Sequence, residues 1–138
     1  MRVFLDSNIV LYALGDDESK SGRANALLAT RPHISIQVIN ECSHVLRRKL
    51  LWPPAKVAEE LSVVIGLVRL ENISIVQIRS AWVLAGRYGF GHYDSLIIAS
   101  ALAAGCATLY TEDMQHGQVI EGQMTLVNPF LATAMPHE

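Results

Sequence analysis

Apolar residues in this chain fall into short runs that alternate with stretches of helical period. Val3-Phe4-Leu5 is a brief apolar run that ends at Asp6-Ser7-Asn8, after which Ile9, Val10, Leu11 and Leu14 recur at helical spacing. Ser7 and Asn8 both suit the first position before a helix, so the segment predicts a buried strand turning into a helix. The same alternation continues, with a helix over Ser19–Leu28 and a strand around Ile34-Ser35-Ile36. A helix over Val38–Leu50 follows, carrying Val38, Cys42, Val45, Leu46 and Lys49 along one stripe. Pro53-Pro54 breaks and restarts the chain, because proline is tolerated in a first helical turn. Val57–Val68 is then helical in period, Asn72–Val76 predicts a strand, and Ile78–Arg87 predicts an amphipathic helix. A loop over Tyr88–Gly91 leads to a helix over Tyr93–Ala104, with Gly105 at the position glycine favours after a helix end. Ala107–Tyr110 and Met124–Val127 supply the last two strands, and Asn128-Pro129 stops the second.

Strands alternating with helices predict a parallel sheet covered on both faces, an α/β three-layer sandwich. Such a sheet presents ligands to the carboxyl ends of its strands, and the residues there are the first candidates for chemistry. Asp6 directly follows the first strand, and Asp113 closely follows the strand ending at Tyr110. Either alone fits a turn or a helix cap. Asp94 is harder to explain that way, since Ile97, Ile98, Ala101 and Leu102 follow it at i+3, i+4, i+7 and i+8, inside an apolar stripe. An unpaired buried carboxylate costs several kcal/mol or takes up a proton, and a helix dipole contributes only up to about 1 kcal/mol against that. Glu41 stands at the edge of its own helix's stripe, and with Asp6, Asp94 and Asp113 it predicts four acids on one sheet edge.

Carboxylates side by side need positive charge between them. Oxygen donors without nitrogen or sulfur select hard cations, so Mg²⁺ or Mn²⁺ is the expected counter-charge, and such ions activate water for phosphodiester hydrolysis. Competing chemistries lack their cues. His33, His44, His92, His116 and His137 form no i, i+4 pair and read as surface or loop residues; no G-x-S-x-G, G-x-x-x-x-G-K-[ST] or G-x-G-x-x-G occurs. Cys42 and Cys106 show no paired spacing and read as buried, reduced thiols. Asp6 as a phosphotransferase nucleophile is a second possibility, weakened because Asn8 stands where such chains carry a second Asp.

Taken together, Val3-Phe4-Leu5-Asp6-Ser7-Asn8, the Asn40-Glu41 pair, Tyr93-Asp94-Ser95-Leu96-Ile97, Thr111-Glu112-Asp113 and the closing Asn128-Pro129-Phe130 resemble the PIN domain, and most nearly the VapC-type ribonuclease toxins of bacterial toxin–antitoxin pairs. The resemblance runs from Met1 to about Phe130. It implies a single PIN-like α/β/α domain over 1–138, with a core of about 1–130 and a short tail, acting as a metal-dependent endoribonuclease. It implies Asp6, Glu41, Asp94 and Asp113 as the catalytic, metal-holding acids, with Asp6 and Asp94 the most direct ligands. Ser7, which stands where the family often has Thr, and Asn8 and Thr111 would orient those acids. It also implies a homodimer, an RNA substrate and an antitoxin whose tail enters the acidic groove. A PIN-like RNA-binding module without catalysis would be expected to lack some of the acids, and all four are present.

Composition changes this picture at two points. The chain has 138 residues, of which 51% are hydrophobic and 17% charged, with a net charge of −2. One domain of this size buries a core unaided, and no stretch reaches the roughly 18 apolar residues of a membrane span, so a cytoplasmic location is expected. A slightly acidic total excludes binding nucleic acid through bulk positive charge. Without the four candidate acids, however, 9 acidic residues face 11 basic ones. Arg47, Arg48 and Arg87 are the candidates to touch RNA phosphates, the first two in a basic run at the end of the Glu41 helix; a solvated helix face is the plainer reading of that run.

Overall fold

A computed structural model describes residues 1–131. The chain runs β1 (Val3–Leu5), α1 (Ser7–Leu14), α2 (Glu18–Leu28), β2 (His33–Ser35), α3 (Ile36–Arg48) and α4 (Pro54–Leu67). It continues with β3 (Arg69–Glu71), α5 (Ile75–Tyr88), α6 (His92–Ala103), β4 (Thr108–Tyr110), β5 (Val119–Ile120) and β6 (Met124–Val127). The six strands form one sheet in the order β3-β2-β1-β4-β6-β5. Every pairing is parallel except β5 with β6. Helices cover both faces, giving the three-layer α/β/α sandwich.

The expected central parallel sheet is present, and β5 adds one antiparallel strand at its edge. Val119-Ile120 forms a hairpin with β6, turning at Glu121 (φ 53°) and Gly122 (φ 64°). Two consecutive positive φ angles define the tight turn that matches strand twist, and glycine at the second position permits it. A two-residue strand carries too little period to be seen in the sequence.

A correction concerns Asn72–Val76. The strand lies earlier, at Arg69–Glu71, paired in register with His33–Ser35. Ser74 instead starts α5: its hydroxyl accepts from Val76 N–H at 3.1 Å while Gln77 Oε1 accepts from Ser74 N–H at 2.7 Å. This reciprocal cap overrides the β preference of Ile75 and Val76, which end up exposed. Lys49 likewise leaves the expected stripe: it caps α3 in solvent, while Val38, Cys42 and Leu46 are buried.

His33 departs from the surface reading. It is buried in β2, with Nδ1 2.6 Å from Glu71 Oε2. His137 lies outside the described residues. Both cysteines are buried and free, and burial pushes each thiol up, Cys106 to about 11. Among the described residues, no helix is long and apolar enough to cross a membrane.

Candidate active site

Strand register builds this site. Leu5 pairs with Tyr110, and Tyr110 with Val127, so β1, β4 and β6 end level. The backbone pairing extends one residue further, with Asp6 N–H donating to Tyr110 O at 3.0 Å and Thr111 N–H to Val127 O at 2.9 Å. Asp6 and Thr111 therefore emerge side by side, and Thr111 Oγ1 donates to Asp6 Oδ2 at 2.8 Å. The other carboxylate oxygen, Oδ1, accepts from Ser7 N–H at 2.7 Å. Asp6 thereby caps α1 and is fixed in orientation at the same time.

Asp6 is only 3% exposed. Burial pushes its carboxyl up to about 6, against the opposing pull of the Thr111 and Ser7 hydrogen bonds, and the nearby charges of Asp94 and Asp113 add to the rise. Glu41 projects from α3, whose N-cap Ser35 ends the neighbouring strand β2. Burial and then the charge of Asp6 raise its carboxyl, with Asp94 adding to the shift. Asp94 sits in the first turn of α6, where burial and then Asp113 raise it. Asp113 is exposed, and its N–H donates to Thr111 Oγ1 at 3.2 Å. One hydroxyl thus couples two of the acids.

The four acids come from four elements, and the charges of Asp94 and Asp113 reach Asp6, those of Asp6 and Asp94 reach Glu41, and that of Asp113 reaches Asp94. Among the described residues, the ion pairs of Lys20, His33 and Arg87 are made with Glu112, Glu71 and Glu121, none of which belongs to the four. The expected apolar stripe behind Asp94 takes a different form. Ser95 to Ala101 are all buried, so α6 is enclosed on every side and Asp94 stands at its open N-terminal end.

Three buried polar atoms among these residues and their chain neighbours have no hydrogen-bond partner: Glu41 Oε1, Asn8 Nδ2 and Ser95 Oγ. An unpartnered buried carboxylate oxygen is costly unless a cation faces it. The donor set is all oxygen, which suits a hard divalent ion. No three His, Cys, Asp or Glu side chains among the described residues stand close enough to hold an ion unaided.

Ser7 Oγ lies 3.3 Å from Asp6 Oδ1 and 3.5 Å from Glu41 Oε2, positioned between two acids. Asn8 Oδ1 accepts from Glu112 N–H at 3.4 Å, tying α1 to the loop that carries Asp113. A second tie is not visible in the sequence. Tyr12 Oη donates to Glu112 Oε1 at 2.6 Å, Lys20 binds Glu112 Oε2, and the Lys20 ammonium lies over the Tyr12 and Phe130 rings. Glu112 is separated from Tyr12 by 100 positions, so only its place between Thr111 and Asp113 hinted at a role.

The basic candidates are placed less centrally. Arg47 and Arg48 are exposed at the end of α3, about 9–10 Å along the helix from Glu41. Arg47 Nη1 donates to Trp52 O at 3.0 Å. Arg87 is held by Glu121 and lines a cavity with Leu102 and Ala103, about 12 Å along α6 from Asp94. Beside Glu41, a shallow cavity of about 380 Å³ is lined by Gln37, Asn40, His44 and Tyr93, the last 58% exposed.

A three-layer sandwich with Asp6, Glu41, Asp94 and Asp113 toward the carboxyl ends of its strands places the protein among α/β domains with an acidic edge. The PIN domain model matches residues 3–120, and the chain belongs to that family. Its backbone is similar to a toxin–antitoxin complex from Klebsiella pneumoniae at 19% identity, with TM-score 0.69 over 94% of this chain and 98% of that one. VapBC2 from Rickettsia felis, bound to a DNA fragment from its promoter, is similar at 21% identity and TM-score 0.68, over 91% and 97% of the two chains. VapC20 of Mycobacterium tuberculosis, a Sarcin-Ricin loop cleaving toxin, is similar at 19% identity and TM-score 0.67, over 80% and 89%. No curated protein matches the sequence.

Proposed function

We propose that this PIN domain is a Mg²⁺- or Mn²⁺-dependent endoribonuclease and the toxin of a toxin–antitoxin pair. The observation that carries the reading is the gathering of Asp6, Glu41, Asp94 and Asp113 at one sheet edge, with none of the four in an ion pair among the described residues. Asp6 and Asp94 would hold the ion most directly, with Glu41 and Asp113 completing the negative field. When bound, the ion supplies positive charge for a scissile phosphate and makes a water acidic enough to act near neutral pH.

The chain's own residues prepare for that. Thr111 and Ser7 fix the Asp6 carboxylate before any substrate arrives, so little reorganisation is left to the reaction. Asn8 and the Tyr12–Lys20–Glu112 clasp hold the loop bearing Asp113. Exposed Tyr93, next to Asp94, offers a face on which an unpaired base can stack. Arg47 and Arg48 would meet phosphates of an RNA strand lying along α3. Asp6 is a poor candidate for a covalent nucleophile, since both its oxygens are engaged and it is almost fully buried.

The antitoxin complexes among the structural relatives support a cognate antitoxin as partner, and the fold's family supports a cytoplasmic homodimer. The test is to incubate antitoxin-free protein with structured RNA in Mg²⁺, Mn²⁺ or EDTA, beside Asp94→Asn. Cutting that needs the divalent ion and vanishes in Asp94→Asn is the expected result; cutting that survives EDTA would overturn it. Growth arrest on expression, relieved by the adjacent reading frame, tests the toxin assignment separately.

A further inference from the structure

The cavity beside Glu41 is built by one face of α3 and one residue of α6. Gln37, Asn40 and His44 recur three and four positions apart, so they and Glu41 line one wall along the helix. Tyr93 supplies the other wall from the first turn of α6, one position before Asp94. Two of the four acids therefore border this space: Glu41 lines it, and Asp94 adjoins its aromatic wall. Its volume of about 380 Å³ lies in the range of small-ligand pockets, roughly 300–1,000 Å³.

The two walls offer different contacts. Tyr93 is 58% exposed, and the His92 ring meets it edge-on, centroids 5.2 Å apart at 67°, so the ring is held while staying accessible. An aromatic face of this kind takes an unpaired base by stacking. On the helical wall, the Gln37 side chain is already occupied by a hydrogen bond to Glu41. Asn40 is exposed, and no other described residue engages its side-chain amide. An amide sets a donor beside an acceptor and matches a base edge with the complementary pair. It can turn over to suit either an amino or a carbonyl edge. The Glu41 carboxylate on the same wall decides between them, since negative charge attracts an amino group and repels a carbonyl oxygen. Adenine and cytosine present an amino group beside a ring nitrogen, where guanine and uracil present a carbonyl.

We propose that this cavity is the subsite for one unpaired nucleobase, adenine or cytosine, flanking the phosphate cut at the acids. The base stacks on Tyr93 with its amino edge turned to Asn40 and Glu41. This deepens the ribonuclease reading and rests on it. It makes the substrate single-stranded RNA, because a paired base has already used the edge that Asn40 reads and keeps its face within the duplex stack.

The experiment compares uridine nonamers that carry adenine, cytosine, guanine or uracil at the central position, and the adenine strand annealed to its complement. Cutting is followed by single-turnover kinetics in Mg²⁺ or Mn²⁺, and binding by fluorescence anisotropy with Ca²⁺ in their place. The adenine and cytosine strands are expected to be favoured over the guanine and uracil strands by about tenfold or more, with no such preference in the duplex. Asn40→Leu keeps the shape of the side chain and removes the amide; it should bring the four strands to within about threefold of one another and leave the uracil strand as in the parent. Tyr93→Ala should weaken binding of every unpaired strand about tenfold, and Tyr93→Phe should not. Equal treatment of the four bases by the parent, a preference that Asn40→Leu leaves intact, or unchanged binding by Tyr93→Ala overturns the proposal. Cutting without base preference sinks the subsite and leaves the ribonuclease reading standing. Base preference in binding that depends on Asn40, with no cutting in either metal, does the reverse. Neither binding nor cutting overturns both.

Discussion

The two edges of the sheet are opposites in charge and in how they are made. At the carboxyl edge, Asp6 and Asp113 lie just beyond strand ends, while Glu41 and Asp94 come from helices. At the amino edge, Arg2, Arg31 and Arg69 stand just before or at strand starts. A parallel sheet sorts its strands' flanking residues into two populations, so a chain whose acids follow strands and whose arginines precede them becomes electrically polarised across the sheet. The near-zero total charge conceals this, because the two populations nearly cancel.

The sharpest way to separate the edges is Asp94→Asn. It should lower divalent-dependent RNA cutting by about a hundredfold or more, since it removes a charge that acts directly on the reacting group. Gel-resolved single-turnover assays will show this, and residual cutting within a few-fold of the parent would mean that the acidic edge is not the reaction centre.

Asp6→Asn tests the electrical cost of that edge. Folded Asp6 holds its proton up to about pH 6, whereas unfolded aspartate releases it near 3.8. Its contribution to stability is therefore complete below the unfolded value and is lost as pH rises through about 6. The loss is at most roughly 3 kcal/mol. Metal-free Asp6→Asn should thus melt several degrees higher than the parent at pH 7 and no higher at pH 4; a Tm advantage that is equal at both values would refute the electrostatic origin. Added Mg²⁺ should raise the parent's Tm more than the variant's.

Thr111→Val keeps shape and deletes the hydroxyl shared by Asp6 and Asp113. Cutting should fall about tenfold, in the range found when a group that orients a metal ligand is lost. The same variant should move the Asp6 carboxyl further upward, visible as a shift of the pH–rate profile to higher pH. The smallest effect belongs to Glu112→Gln, which weakens the clasp to Tyr12 and Lys20. Because that cluster is partly exposed, stability should change by less than about 1 kcal/mol, and cutting by only a few-fold, as Asp113 becomes less well held.

Much of the carboxyl edge was legible because a strand's end is marked in sequence: an apolar run stops and an acid follows. Asp94 was legible through its conflict with the apolar residues around it, although the helix proved to be enclosed and not striped. The amino edge carried no such mark. An arginine ahead of a strand is unremarkable until the order β3-β2-β1-β4 sets those starts side by side. The Asn72–Val76 error has a related cause, since alternation alone cannot distinguish a strand from a capped helix start when Ser74 and Gln77 close a reciprocal pair. The Glu112 clasp joins residues about a hundred positions apart, a distance at which local pattern carries no information.

That long separation has a consequence during synthesis. The hydroxyl that orients Asp6 belongs to Thr111, which is made 105 positions later. Parallel pairing of β1 with β4 must wait until β4 has emerged from the ribosome. A nascent chain therefore carries three of its four acids with no ordered centre, and whatever activity they support switches on only after Thr111 and Asp113 have been made.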